Sequence, residues 1–433
     1  MKTKNLHTII RWWTLGCQYL LAVVFIFSGF VKANDPLGTV YKIQDYLEAM
    51  NLLQHFPSIF PLLGAVVMAL LEFSLGVYLL FGIHKRWVSK LMLVVMLAMT
   101  PLTLWLALAN PISDCGCFGD VLVLSNWETF FKNLVLLLAA FSIYKWYPRI
   151  HNLVTDKVDW LIAMYSSLFI FGFSLYCYRQ LPVFDFRPYY IGANIREGME
   201  IPEGKKPTVY ETKFIYEKDG KQQFFTETNL PEDTLWHFVD AVTEVKEKGY
   251  EPPILDFSIV SQEDGTNLTD SILDTDNYVF LLIAHRLEEA DDSTIDLINE
   301  IYDYSVEYGY TFYCLTSSSD EVIAEWQERT GAEYNFALMD DIVLKTIVRS
   351  NPGMVLLKKG TILNKWSLNN LPDEYQLSAP LHKLPLGYVN QKTVVHKITE
   401  VILCFIIPLL VVSVLDFLWL RWKKERNKQI INL

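Results

Sequence analysis

Trp12-Trp13-Thr14-Leu15-Gly16-Cys17-Gln18-Tyr19-Leu20-Leu21-Ala22-Val23-Val24-Phe25-Ile26-Phe27-Ser28-Gly29-Phe30-Val31 runs for 20 residues without a charge, which matches the roughly 20 that a helix needs to cross a bilayer. That stretch decides the fold class. A secretory leader would have a shorter apolar core and a clear cleavage site; Val31-Lys32-Ala33 offers only a weak one, so the segment reads as a retained span. Five more stretches read the same way: Ile59 to Ile83 with Glu72 inside it, Leu91 to Ser113 with Pro101 as a kink, Asn133 to Tyr144, Trp160 to Tyr178, and Val401 to Leu415 with a bend at Pro408. The fourth is short, so Lys132 must snorkel or lie against protein, with Trp127 and Trp146 marking the interfaces. Of 433 residues, 52% are hydrophobic and only 20% charged, which excludes a disordered chain. The net charge is −12 with no clustered basic face away from the membrane flanks, which excludes nucleic acid as a partner.

Basic residues near membrane ends stay on the cytoplasmic side. Fourteen gather on one side: Lys2, Lys4 and Arg11; Lys85, Arg86 and Lys90; Lys145, Arg149 and Lys157; and Arg421, Lys423, Lys424, Arg426 and Lys428. The opposite loops hold only Lys32 and Lys42, with none between Asp114 and Asn126. Both termini are therefore expected in the cytoplasm and residues 179–397 in the periplasm, on a multi-pass protein of the inner membrane. The acidic excess of that outer segment agrees, and it reads as solubility rather than as a docking face.

The outer segment divides in two. In residues 179–250, the alternating run from Thr208 to Tyr216, the turn Asp219-Gly220 and Gln223-Phe224-Phe225-Thr226 predict a β-hairpin; a helix is expected from Pro231 to Lys248. In residues 251–390, Asn277 to Ala284 is a continuous apolar strand, followed by an amphipathic helix over 293–308 and a second strand, Tyr310 to Leu315. Helices at 320–330 and 341–349 lead to Asn351-Pro352-Gly353, and two short strands follow around the turn Lys359-Gly360. This order resembles a thioredoxin-like domain, in which a proline, usually cis, precedes the final hairpin; Pro352 takes that position. Where such oxidoreductases carry Cys-x-x-Cys, this chain reads His285-Arg286-Leu287-Glu288-Glu289-Ala290-Asp291-Asp292. Dithiol exchange cannot occur there. Cys314, inside a strand, is expected to be a buried inert thiol, so the domain reads as degenerate, serving binding or support.

The dithiol lies elsewhere, in Asp114-Cys115-Gly116-Cys117-Phe118-Gly119-Asp120, an outer loop between the third and fourth spans. Cα atoms two residues apart can come within disulfide range, and Gly116 relieves the backbone. So small a ring is expected to be strained, hence more oxidising and more exchangeable than a structural bridge. The plain alternative is a staple for the turn. The eight histidines form no pair at ligand spacing, so no metal site is read. Ser125-Asn126-Trp127-Glu128 is a capping box for the next helix. Glu72, deep in the second span, costs on the order of 3 kcal/mol unless protonated or paired. Lys32, at the outer end of its own helix, is read as two or three turns away and a poor partner. Glu72 is either a proton-accepting or quinone-contacting group or one end of an interhelical hydrogen bond.

Ser28-Gly29-Phe30-Val31-Lys32-Ala33-Asn34-Asp35-Pro36, Glu72, and Cys115-Gly116-Cys117-Phe118-Gly119 together resemble the DoxX-like and MauE-like membrane family over residues 1–150. The whole arrangement is similar to DoxX proteins of Bacteroidetes type. The resemblance implies either quinone-linked oxidation, as for DoxX relatives, or maturation of a disulfide-rich periplasmic protein alongside a thioredoxin-like partner, as for MauE. The expectation is a four-helix bundle (1–150), a fifth span (158–178), the inserted outer segment, a sixth span (398–420) and a basic tail (421–433). On this reading Cys115 and Cys117 are the exchangeable pair, Glu72 assists proton or quinone traffic, a quinone is the candidate cofactor, and a periplasmic redox or client protein is the partner beyond the lipid bilayer. The rival is a non-catalytic membrane-anchored assembly factor or binding module.

Overall fold

The computed structural model describes every residue except 1, 113, 219–220, 227–228, 232–234, 248, 390 and 432–433. The membrane part begins with α1 (Lys2–Asn34), α2 (Pro36–Ala49), α3 (Ile59–Phe81), α4 (Lys85–Ala109), α5 (Asn126–Lys145) and α6 (Asp159–Arg179). Among the described residues, five helices are long and apolar enough to cross a membrane: His7–Asn34, Ile59–Phe81, Lys85–Ala109, Asp159–Arg179 and Val395–Asn427. Helix α5 is not among them, because Glu128, Lys132 and Lys145 dilute its apolar run. It still lines the same core, with Leu136, Ala140 and Ile143 packed among Leu21, Met92 and Met96. Its start is the capping box expected at Ser125 and Glu128. Lys132 lies against protein, its Nζ 4.1 Å over the Phe118 ring.

Helix α2, outside every span read from the sequence, starts on Pro36 with Asp35 as its N-cap; the Gly38 amide donates to Asp35 Oδ1 at 2.9 Å. Helices α1 and α3 touch backbone to backbone. A Cβ on Gly29 would lie 2.3 Å from Phe73 N, and one on Gly76 would lie 2.6 Å from Ile26 N. This register corrects the depth assigned to Glu72. Residue 72 sits opposite the turn of Ser28, one turn below Lys32, because the first turns of α3 project past the outer end of α1. Lys32 and Glu72 are therefore partners after all.

The outer segment continues with α7 (Ile195–Met199) and a three-stranded antiparallel sheet, β1 (Val209–Lys218), β2 (Lys221–Thr226) and β3 (His237–Glu247), in the order β2-β1-β3. The hairpin is as expected, although its turn residues 219–220 lie outside the described residues. Where a helix was expected over 231–248, of which residues 232–234 and 248 lie outside the described residues, residues 237–247 form strand β3. Its sequence, Phe238-Val239-Asp240-Ala241-Val242-Thr243, favours extended backbone, and its ladder completes the second edge of β1.

Then come β4 (Val260–Ser261), α8 (Thr269–Leu273), β5 (Tyr278–Ile283), α9 (Ile295–Glu307), β6 (Thr311–Thr316), α10 (Asp320–Thr330), β7 (Asn335–Leu338), α11 (Asp341–Ile347), β8 (Gly353–Lys358) and β9 (Thr361–Ser367). The six-stranded order is β4-β7-β6-β5-β8-β9, with β5 parallel to β6, β6 parallel to β7, and β8 antiparallel to β5. This is a thioredoxin-like sheet, and Asn351-Pro352 ahead of β8 is cis. Every residue of β5 is buried: Tyr278, Phe280 and Leu282 join a core with α9 and α10, and Val279, Leu281 and Ile283 join one with α11. Tyr189 and Ile195 belong to that second core, so residues around α7 pack with the large sheet rather than the small one. Cys314 is fully buried in β6, and burial pushes its thiol up. The chain returns to the membrane in one helix, α12 (Gln391–Ile431), which contains Pro408 and includes residues 421–431 of the basic tail.

Candidate functional site

The loop between α4 and α5 is held from three helices. The Ser28 hydroxyl (2.8 Å) and Lys32 Nζ (3.1 Å) both donate to the Cys117 carbonyl from α1. From α2, Tyr46 Oη donates to the Cys115 carbonyl at 2.7 Å and Lys42 Nζ to Asp114 Oδ2 at 2.9 Å. Asp114 Oδ1 accepts from the Gly116 amide, and Gly116 has φ +66°, a left-handed conformation that a glycine adopts without strain. Lys132 of α5 closes the third side over Phe118.

This cradle places the Sγ atoms of Cys115 and Cys117 2.9 Å apart as free thiols in hydrogen-bonding contact. Cys115 is buried and Cys117 partly exposed. The contact splits the two acidities. The hydrogen bond from Cys115 lowers the Cys117 thiol to about 6 against the cost of burial, helped by the Lys132 and Lys32 charges. The same bond, with burial, pushes Cys115 up. A single proton can be shared between the two sulfurs, and the Lys132 and Lys32 charges favour the negative charge on Cys117.

Lys32 joins the cysteine loop to the intramembrane carboxylate. Its ammonium donates to Glu72 Oε2 at 2.7 Å, to Ser28 Oγ at 2.7 Å and to the Cys117 carbonyl, so all three protons are used. Lys32 is 5% and Glu72 7% exposed. Sequence reasoning named Glu72 and both cysteines. It missed the pairing, as well as Lys42, Tyr46 and Lys132; the signal for Tyr46 was its place one turn after Lys42 on α2.

A cavity of about 920 Å³ opens onto this dithiol and is walled on its far side by the thioredoxin-like domain. Cys115, Cys117, Tyr46 and Lys42 line it together with His285, Arg286, Asp341, Lys345 and Arg349. His285 and Arg286 occupy the position where the domain's missing cysteines would stand. Met68 of α3 and Met99 and Leu102 of α4 also line the cavity. Among the described residues no group of three or more His, Cys, Asp or Glu is gathered to hold a metal ion.

Arg349 ties the two parts together. It clamps Asp35 through Nη2 at 2.8 Å and Nε at 2.9 Å, and reaches Asp120 at 3.1 Å. Burial would raise the Asp35 carboxyl, but Arg349 and Arg187 overcome this and hold it below its ordinary value. The stabilisation from Asp35 is therefore present above the ordinary carboxylate pKa and is lost as pH falls through the lowered folded value. Arg349→Ala leaves Asp35 buried without its main cation, a loss of about 3–5 kcal/mol where a buried pair is broken one-sidedly. Hydrogen exchange at residues 114–120 and along α11 is expected to rise strongly in this variant; unchanged protection would show that the clamp does not hold the domain.

Among solved structures, the chain is similar to a candidate protein disulfide isomerase from Bacteroides thetaiotaomicron (16% identity, 27% of this chain and 76% of that one, TM-score 0.22). It is similar too to a candidate thiol:disulfide interchange protein DsbE from Chlorobium tepidum (15%, 26% and 80%, 0.22) and to a thiol peroxidase from Chromobacterium violaceum (16%, 29% and 79%, 0.21). The fold assignment stands on the strand order instead. No curated protein matches the chain. Residues 210–248, within the small sheet, match a domain of unknown function (DUF8463). Residues 10–145 match the family described as methylamine utilisation protein MauE, so the bundle that carries Lys32, Glu72, Cys115 and Cys117 is a MauE-like membrane region, joined here to a thioredoxin-like domain.

Proposed function

We propose that this multi-pass membrane protein carries out thiol–disulfide exchange at the outer face of the cytoplasmic membrane, with Cys117 as nucleophile and Cys115 as resolving thiol. The observation that carries the proposal is the 2.9 Å thiol contact that leaves Cys117 poised as thiolate beside two lysines and a large cavity. The Cys117 thiolate attacks one sulfur of a client disulfide, forming a mixed disulfide and releasing a client thiolate that takes up a proton. Cys115 then loses its proton and attacks the Cys117 sulfur; the mixed bond breaks and the second client thiol leaves. The client has gained two electrons and two protons, and the pair is a disulfide. Run in reverse, the same steps oxidise a client dithiol, and the reduced pair then passes two electrons and two protons to a membrane-soluble quinone. The apolar side chains of Met68, Met99 and Leu102 in the cavity lining support access for such a carrier. Glu72 enters through Lys32, which it holds against the Cys117 carbonyl. The segregation of fourteen basic residues supports the orientation, with both termini inside.

The pH dependence of alkylation tests the thiolate. With the thiol at about 6, roughly nine-tenths of Cys117 is ionised at pH 7, against a few per cent for an ordinary cysteine. The rate of iodoacetamide addition to Cys117, followed by peptide mass mapping, is expected to rise between pH 5 and pH 7 and then level off. A rate still climbing above pH 8.5 would sink the assignment of Cys117 as the nucleophile.

A further inference from the structure

The proposed exchange leaves one wall of its cavity unexplained. His285 is 5% exposed, and its Nδ1 has no hydrogen-bond partner; neither has Asp341 Oδ1, 3.6 Å away. Asp341 keeps its other oxygen on Lys345 Nζ at 2.6 Å. Buried polar atoms left in this state cost about 1–3 kcal/mol each, and both residues line the cavity that holds the cysteines. With His285 lowered to about 4, first by burial and then by the Lys345 charge, the imidazole is neutral at ordinary pH. A neutral nitrogen beside a carboxylate oxygen suits neutral donors and acceptors. The charges around them cancel, Arg286 and Lys345 against Glu289 and Asp341, with Arg349 neutralised by Asp35 and Asp120, so this wall selects neither a strong anion nor a cation. Main-chain amides have that chemistry.

We propose that the thioredoxin-like domain, having lost its own cysteines, supplies the substrate wall of a site split between two parts of the chain: a cysteine-bearing polypeptide segment enters the cavity, its amides meet His285 and Asp341, and its sulfur meets Cys117. This rests on the thiol-exchange reading and names its substrate class. A small rotation of Asp341 lets an incoming N–H reach Oδ1, recovering the cost of the unpartnered pair. At about 920 Å³ the cavity lies at the top of the range usual for small-ligand sites, roughly 300–1,000 Å³, with room for several residues of extended chain.

The test uses the full chain in lipid nanodiscs with Cys115→Ala, so that the mixed disulfide is not resolved, and with Cys115→Ala/Cys117→Ala as background. Two probes carry thionitrobenzoate in mixed disulfide, one on a blocked cysteine tetrapeptide and one on 2-mercaptoethanol. The Cys117 thiolate attacks the carrier sulfur and expels the coloured thionitrobenzoate anion. Normalised to each probe's rate with free thiol, the peptide is expected to react at least tenfold faster than the small probe. His285→Leu and Asp341→Asn are each expected to lower that ratio at least fivefold. Each variant is scored only where the iodoacetamide rate at Cys117 stays at its Cys115→Ala value, which excludes a misfolded fraction with an exposed thiol. If both probes react alike, or neither variant moves the ratio by twofold, the substrate wall is overturned while thiol exchange stands. If Cys117 reacts with neither probe, in Cys115→Ala or in the parent chain with Cys115 present, the exchange reading itself fails and the inference falls with it.

Discussion

Cys117→Ala is expected to abolish disulfide exchange by the full-length protein, a loss of about a hundredfold or more, as removal of an activated nucleophile demands, whereas Cys115→Ala stalls one step later. In the second variant the mixed disulfide on Cys117 has no resolving thiol and accumulates, visible as a partner-dependent shift on non-reducing gels. The asymmetry follows from the geometry. Residue Cys117 keeps some exposure while Cys115 is buried, and the Lys132 and Lys32 charges favour the anion on Cys117. Cys115→Ala also removes the largest cause of the lowered Cys117 thiol, so its alkylation profile is expected to move to higher pH. The reverse pattern, trapping on Cys115 and none on Cys117, would show that the roles are exchanged. A strain carrying serine at both positions and keeping full function would favour the rival reading, a membrane-anchored assembly factor whose cysteines only staple a turn.

The parts of this site that the sequence announced are those whose chemistry is local. Cys-Gly-Cys is visible as spacing, Glu72 as a charge in an apolar run, and Ser125 with Glu128 as a helix start. The two apolar runs around α9 and the proline before the last hairpin were enough for the thioredoxin-like order, because buried strands and turn residues carry their signal within ten residues. The Lys32–Glu72 pairing was not legible, since it depends on the register of two helices, and that register is set by Gly29 and Gly76 letting the backbones meet. The β3 segment was misread because its charged residues suited an amphipathic helix, while the free edge of β1, a tertiary fact, decided for strand. His285 and Asp341 gain meaning only when folding turns the empty cysteine position of one domain toward the dithiol of the other.

Lys32 and Glu72 give the second large effect, because stability and reactivity are expected to separate there. Lys32→Met leaves Glu72 buried without its cation, which costs about 3–5 kcal/mol for one-sided loss of a buried pair. It removes one of two donors from the Cys117 carbonyl and one of the cations that stabilise the thiolate. Thermal stability and the alkylation rate at pH 6 are therefore both expected to fall. Glu72→Gln strands the lysine charge at similar cost in stability, yet removes an anion that raises the Cys117 thiol; reactivity at pH 6 should hold or increase provided Lys32 stays in place. The double variant Lys32→Met/Glu72→Leu discriminates most sharply. Replacing a buried pair by apolar residues is often neutral for stability, so melting is expected to return toward the parent value while Cys117 alkylation stays slow, the cation being gone. If the double variant recovers both, the ion pair serves only to join two helices. If it recovers stability alone, the intramembrane pair is what sets the charge and position of the reacting sulfur.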